Sequence, residues 1–137
     1  MRATLTRRIR FDARHRFWRP DWDAARNRAA FGAASEDHGH RYTCAVTLAG
    51  RLPADGALVD LARLDGLLAE RVAGPLDGRH LNEALPEFAY GRLLPTCEAI
   101  AAWCWGRLAP GLPEGVELVE VRIAEDDSLE GSCGGPA

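Results

Sequence analysis

The sequence predicts an α+β protein in which an antiparallel four-stranded sheet packs against two helices on one face. Two observations predict this class. Three segments have the alternation or the β-branched and aromatic content of strands, and a short strand after residue 127 completes the sheet. Two further segments carry apolar residues at helical spacing. Each helix has one apolar stripe, which a sheet face would bury.

The first two strands are predicted over residues 3–14 and 41–50, where apolar, β-branched and aromatic residues recur. Residues 19–37 separate them. This segment is rich in small and charged residues, so we expect a long loop with some helix rather than a strand. Long loops inside compact domains are often functional.

Two helices follow. The first is predicted over residues 60–73, with Asp60 as N-cap. Its apolar positions recur at helical spacing: Leu61, Leu64, Leu67, Leu68 and Val72. The second begins near Thr96, which caps it, carries Glu98 in its first turn, and ends before Pro110.

The third long strand is predicted over residues 115–127. Alternation there places Val119, Val121 and Ile123 on one face. Residues 131–137, GSCGGPA, are expected to form a frayed tail.

Composition limits the function. The chain has 137 residues, 47% of them hydrophobic, and we expect one domain over residues 1–137. A net charge of -3 argues against a nucleic-acid partner. No apolar run approaches the roughly 20 residues of a membrane span, and the N-terminus lacks a signal-peptide core. The expected location is therefore cytoplasmic, with no membrane association.

Lysine is absent, because all 17 basic residues are arginine. Schiff-base chemistry on lysine and a GxxxxGK[ST] phosphate loop are thereby excluded. The cysteines form no CxxC pair, so we expect reduced thiols rather than a zinc knuckle or a disulfide framework. They are Cys44, Cys97, Cys104 and Cys133.

The stretch HGH carries His38 and His40 at the start of the second strand, where alternation points both imidazoles to one face. His15 follows the first strand, and a neighbouring strand would bring it to the same point. Three imidazoles suit Zn²⁺ and leave a fourth position open for water or substrate. From the spacing alone, two ordinary hydrogen-bonded or surface histidines remain an alternative.

The blocks FDARH, HGHRY, DGALVDLARL, LDGRHLN and PTCE, followed by a strand ending in glutamate, occur in this order over residues 9–127. This succession resembles the 6-pyruvoyltetrahydropterin synthase and 6-carboxytetrahydropterin synthase family. The resemblance implies a tunnelling-type fold whose sheets join into a β-barrel. It also implies a homo-oligomer, a hexamer or a related assembly, with sites at subunit interfaces and a pterin-like small molecule as substrate.

The resemblance also assigns residues. The family's catalytic Zn²⁺ would bind three histidines, which are His15, His38 and His40. The pterin ring would be held by Glu125 with help from the PTCE block, which supplies Thr96, Cys97 and Glu98. A carboxylate suits the ring because the pterin amino group and ring N–H present two adjacent donors.

Two positions depart from the family pattern. Ala34 occupies the place of the family's catalytic cysteine, and a methyl group accepts no proton. In the family's aspartate-histidine pair, Asp77 remains but Gly78 replaces the histidine, with His80 two residues further on. We therefore expect Glu36, Asp77 and His80 to transfer protons. For His80, an ordinary surface or core histidine remains the alternative, because it would need a different backbone path to reach the site.

Other groups stay open for the same task. Asp37 lies beside Glu36 on the loop before His38, and Cys97 is a candidate for a displaced thiol. For Cys97, a packing role at the helix start is the alternative.

Three functions follow as hypotheses. The leading one is a zinc-dependent carbon-oxygen or carbon-carbon lyase acting on 7,8-dihydroneopterin triphosphate or a related pterin. The second is a family member recruited to a specialised pathway with another substrate. The third is a non-catalytic protein that binds pterin or zinc.

Overall fold

The computed structural model describes residues 1–137 and is built on one mixed sheet. Its strands are β1 Arg2–His15, β2 His38–Arg51, β3 Arg79–His80, β4 Val116–Asp126 and β5 Leu129–Cys133. Their order across the sheet is β3-β1-β2-β4-β5. The pairs β1 with β2, β2 with β4, and β4 with β5 are antiparallel.

The prediction of a four-stranded, wholly antiparallel sheet is wrong in one respect, because β3 adds a fifth strand parallel to β1. β3 has only two residues, too few for any alternation to show in the sequence. The chain enters it through Gly78, whose φ of 73° suits glycine and whose N–H donates to the carbonyl of Asp12 at 2.7 Å. Most of the outer edge of β1 has no strand partner within the chain.

Five α-helical segments connect the strands: α1 Ala24–Phe31, α2 Leu61–Leu68, α3 Gly74–Leu76, α4 Leu81–Ala84 and α5 Cys97–Leu108. α2 passes into α3 through a π-helical segment, Ala69–Ala73. The helix predicted over residues 60–73 therefore continues through α3 to Leu76. The predicted N-caps are confirmed. Asp60 accepts the N–H groups of the first turn of α2, and Thr96 accepts one from α5. None of the helices is both long and apolar enough to cross a membrane.

The helices cover one face of the sheet, as predicted. The core joins inward side chains of β1, β2 and β4 to those of α2 and α5. It includes Phe11, Tyr42, Leu48, Leu64, Leu68, Ile100, Leu108, Val121 and Ile123. The opposite face of β1 instead exposes polar side chains, among them Arg8, Arg10 and Arg14.

The prediction for Val119 is wrong. A β-bulge interrupts the pairing of β2 with β4, so that Thr47 is opposite Glu120 whereas Leu48 is opposite Leu118. The extra residue shifts the alternation by one position. Leu118 packs against the core in place of Val119, which is 37% exposed, while Val121 is fully buried as expected.

The predicted frayed tail is ordered in part, because β5 includes Gly131 and Cys133. A Cβ atom at Gly131 would lie 2.6 Å from the backbone nitrogen of Glu98. Only glycine therefore lets β5 approach the start of α5 this closely. This contact fixes the N-terminus of α5 against the end of the sheet.

Candidate functional site

Three histidines meet where β1 ends and β2 begins. His15 is opposite His38 in the register and His40 is opposite Ala13, so alternation places the three imidazoles on one face. The Nε2 atoms of His15 and His38 are 3.0 Å apart. One ring nitrogen from each of the three histidines lies within 4.8 Å of the others. The structure thus brings together the residues that the sequence predicts as metal ligands.

Backbone carbonyls hold two of these rings in the orientation that a metal ligand needs. His15 donates its Nδ1–H to the carbonyl of Pro95 at 3.0 Å, and His38 donates its Nδ1–H to the carbonyl of Glu36 at 2.7 Å. In this tautomer each neutral ring has a lone pair at Nε2. Two lone pairs 3.0 Å apart repel one another unless a proton or a metal cation lies between them.

Burial keeps His15 neutral. Its side chain is 1% exposed. Burial is the largest cause of a pKa lowered to about 3, and the nearby charges of His38 and His40 lower it further. A metal ion binds the deprotonated nitrogen. His15 therefore offers a neutral nitrogen ligand at neutral pH. Three imidazole nitrogens are a donor set that fits Zn²⁺.

Glu125, near the end of β4, lies against the same cluster. Its Oε2 atom is 3.2 Å from Nε2 of His40 and 3.9 Å from Nε2 of His15, and its side chain is largely buried. The pairing of Thr43 with Ala124 accounts for this position, because the next residue along β4 points to the histidine face. The residue predicted to hold the pterin ring is therefore at the cluster itself.

His80 pairs with a different aspartate from the one that the sequence suggested. Its Nε2 atom is 3.1 Å from Oδ1 of Asp37, and its Nδ1 atom is buried without a hydrogen-bond partner. The ring is close enough to His15 for its charge to lower the pKa of that residue. Asp37 also contacts Arg14 at 3.6 Å.

Asp77 and Glu36 have other contacts than those expected of proton-transfer groups. The carboxylate of Asp77 accepts the backbone N–H of Asp12 at 2.9 Å, which ties the entry to β3 to β1. Glu36 contributes its backbone carbonyl to His38, while its side chain is exposed. Ala34 lies in the 3₁₀ turn Gly32–Ser35, and its carbonyl accepts the N–H of Phe17.

The PTCE block lies beside the cluster at the N-terminus of α5. Thr96 caps the helix by accepting the N–H of Ala99 at 3.1 Å, and Glu98 is exposed in the first turn. Cys97 is 5% exposed, and its thiol is close to Glu125. Burial, followed by the charge of Glu125, raises the pKa of Cys97 to about 11. This value disfavours Cys97 as a thiolate base at neutral pH.

Sequence reasoning missed two groups at the site. One is the carbonyl of Pro95, which orients His15 and belongs to a backbone atom that no residue pattern marks. The other is Tyr42, whose hydroxyl is 3.2 Å from Nδ1 of His15. Burial raises the pKa of Tyr42. Strand alternation was a usable signal, because Tyr42 is two residues beyond His40 and on the same face.

Fold and site together define a class: an α+β protein whose sheet presents three imidazoles and a carboxylate at one end, beside a capped helix N-terminus. A family model described as 6-pyruvoyl tetrahydropterin synthase matches residues 4–133. The chain belongs to this family. Homologues in the family are lyases.

Individual relatives agree with this assignment. Human 6-pyruvoyl tetrahydrobiopterin synthase is 35% identical over 129 residues, which cover 92% of this chain and 87% of the human protein. Dihydroneopterin monophosphate aldolase of Pyrococcus furiosus is 28% identical over 129 residues, covering 94% and 95% of the two chains. The structure of Caenorhabditis elegans 6-pyruvoyl tetrahydropterin synthase aligns with a TM-score of 0.88 and 26% identity, covering 99% of this chain and 97% of the other.

Proposed function

We propose that the protein is a zinc-dependent lyase acting on 7,8-dihydroneopterin triphosphate or a related dihydropterin. One observation carries the proposal: the Nε2 atoms of His15 and His38 meet at 3.0 Å with both Nδ1 atoms held by carbonyls. Together with His40 they form the three-nitrogen set of an open zinc site. Bound Zn²⁺ would supply Lewis-acid polarisation of oxygens on the substrate side chain.

Glu125 and the start of α5 are proposed to bind the pterin ring. The carboxylate accepts hydrogen bonds from two adjacent ring donors, the amino group and the ring N–H. The N-terminus of α5 lies beside it, since Cys97 is adjacent to Glu125 and Thr96 begins the helix.

His80 is proposed to hold and move the proton. Its pairing with Asp37 at 3.1 Å orients the ring. Its Nδ1 atom is buried and has no protein partner. Glu36 is the alternative carboxylate base, because its exposed side chain is on the same loop as Asp37. His80 or Glu36 would thus take over the proton transfer of the family's catalytic cysteine, whose position Ala34 occupies.

The test is a product assay. Zinc-loaded protein is incubated with 7,8-dihydroneopterin triphosphate, and both the pterin and the released fragment are analysed. We expect release of triphosphate alone, of acetaldehyde together with triphosphate, or of glycolaldehyde that still carries the triphosphate. We also expect loss of both zinc and turnover in His38→Ala. An active, zinc-free His38→Ala protein would contradict the mechanism. Pterin bound without turnover would instead indicate a recruited enzyme or a binding protein.

Carbon-carbon cleavage is the second candidate reaction. It is favoured by Ala34, which removes the thiol base of the standard synthase pattern while leaving the histidine cluster intact. One relative of this chain is named dihydroneopterin monophosphate aldolase, and an aldolase cleaves a carbon-carbon bond. Release of a two-carbon aldehyde that still carries the triphosphate, with no free triphosphate, would identify this reaction in the same assay.

The protein is also proposed to act as a homo-oligomer. The long outer edge of β1 and the short β5 at the other side of the sheet both have free backbone groups. Unpaired edges of this kind are satisfied when copies of a chain join their sheets. The site is at one end of β1, close to such a junction.

A further inference from the structure

We infer that Glu125 is a fourth, displaceable ligand of the metal: it closes the coordination when no substrate is bound and leaves when a pterin takes its carboxylate. The inference rests on the proposed metal site and assigns Glu125 a second role. The starting observation is that Oε2 of Glu125 lies within 4 Å of two of the three ligand histidines.

The distances match those between ligands of one tetrahedral ion. Metal-ligand bonds of about 2.0–2.1 Å place neighbouring donor atoms about 3.3 Å apart in a tetrahedron. The Oε2 atom of Glu125 is 3.2 Å from Nε2 of His40 and 3.9 Å from Nε2 of His15. The two nitrogens of His15 and His38 are 3.0 Å apart. The separations of 3.2 Å between Glu125 and His40 and of 3.0 Å between His15 and His38 are thus those of neighbouring ligands, whereas the three histidine nitrogens, which lie within 4.8 Å of one another, would have to draw closer around one ion.

The orientation of His40 supports the same conclusion. Its Nε2 atom is buried and has no hydrogen-bond partner, although the oxygen of Glu125 is only 3.2 Å away. The carboxylate is therefore close to the ring nitrogen without lying along its N–H direction. Nε2 of His40 and Oε2 of Glu125 are thus close together without a hydrogen bond between them. Two atoms that bind the same metal ion have this arrangement.

Glu125 is close to two groups of partners. It lies near the histidines and also near Cys97 at the start of α5, where the pterin ring is proposed to bind. A carboxylate oxygen that accepts hydrogen bonds from the ring donors is drawn away from the metal. The ligand position would then open only when a substrate is in place.

The matched variants are Glu125→Gln and Asp126→Asn. Both remove one negative charge at neighbouring positions, and the charge of Asp126 also acts on His40. The Asp126 carboxylate, however, bonds to Ser128 and Leu129 in the turn after β4. Asp126→Asn therefore controls for charge without removing a ligand.

The first measurement is zinc affinity by competition with a chelator, and the second is the visible spectrum of the Co²⁺-loaded protein. For Glu125→Gln we expect zinc affinity to fall about tenfold or more and the Co²⁺ bands to shift, with Asp126→Asn close to wild type. Unphosphorylated 7,8-dihydroneopterin added to the wild-type Co²⁺ protein should shift its bands towards those of Glu125→Gln.

Equal affinities and spectra for the two variants would overturn the inference. Bands that do not move when the pterin binds would overturn the exchange. If the wild type binds no zinc, the metal site itself is wrong and the inference fails with it. The proposed function fails separately, in the product assay, when a zinc-loaded protein gives no turnover.

Discussion

At the scale of single residues, the pairing of His80 with Asp37 rather than with Asp77 leads to the clearest prediction. Asp37→Asn should lower kcat at least about tenfold, because it removes the carboxylate that orients the ring of His80. Asp77→Asn should leave kcat closer to wild type and instead reduce stability by about 1 kcal/mol, since its carboxylate bonds to a backbone N–H. Steady-state kinetics and urea unfolding of both variants check this; the opposite pattern would restore Asp77 as the partner.

Cys97 gives a second prediction at this scale. With its pKa raised to about 11, only about one thiol in a thousand is ionised at pH 8. Alkylation of the native protein by iodoacetamide should therefore be slow at Cys97 and rise about tenfold per pH unit below pH 11. Peptide mass spectrometry distinguishes Cys97 from the more exposed Cys133. Rapid modification of Cys97 at pH 8 would make it a candidate base again.

The sequence specified which residues make up the metal cluster better than it specified their partners. His38 and His40 share a face because strand alternation is local, and the resemblance supplied His15. The partners come from distant segments: Pro95 is 80 residues from His15, and Asp37 is 43 residues from His80. Such contacts depend on loop paths, which no periodicity describes.

At the scale of elements, the bulge in β4 predicts which apolar side chains carry stability. Val121→Ala should destabilise by about 1–3 kcal/mol because Val121 is fully buried, whereas Val119→Ala should cost less than about 0.5 kcal/mol. Simple alternation predicts equal effects. Chemical denaturation of the two variants tests the difference, and a large cost at Val119 would contradict the register given for β2 and β4.

The long elements and the short strand after residue 127 were predictable, whereas β3 and the bulge in β4 were not. Both amphipathic helices and the three long strands have enough residues for a period to repeat. The two-residue β3 and the bulge at Val119 do not, since each depends on pairing with another strand. The close packing of β5 against α5 depends on Gly131. The sequence alone does not show this, because the lack of a side chain matters only where the backbone of Glu98 lies next to it.

At the scale of the whole molecule, the outer edge of β1 is the expected place of assembly. Asp12 directs its N–H to Asp77 and its carbonyl to Gly78, both on the side away from β2. Residues spaced by two along a strand share this direction, so the backbone N–H of Arg8 also faces the open edge. It is free to bond to a strand of another copy.

Arg8→Pro tests this edge without breaking the ladder inside the chain. Proline removes the outward N–H and is tolerated on edge strands. Arg8→Ala is the matched control, because it removes the same side chain and keeps the N–H. Light scattering with size-exclusion chromatography should give a multi-subunit mass for the wild type and Arg8→Ala, and a smaller mass for Arg8→Pro with unchanged circular dichroism. An unchanged mass in Arg8→Pro would contradict assembly along β1. A monomeric wild type would in addition require the site to be complete within one chain.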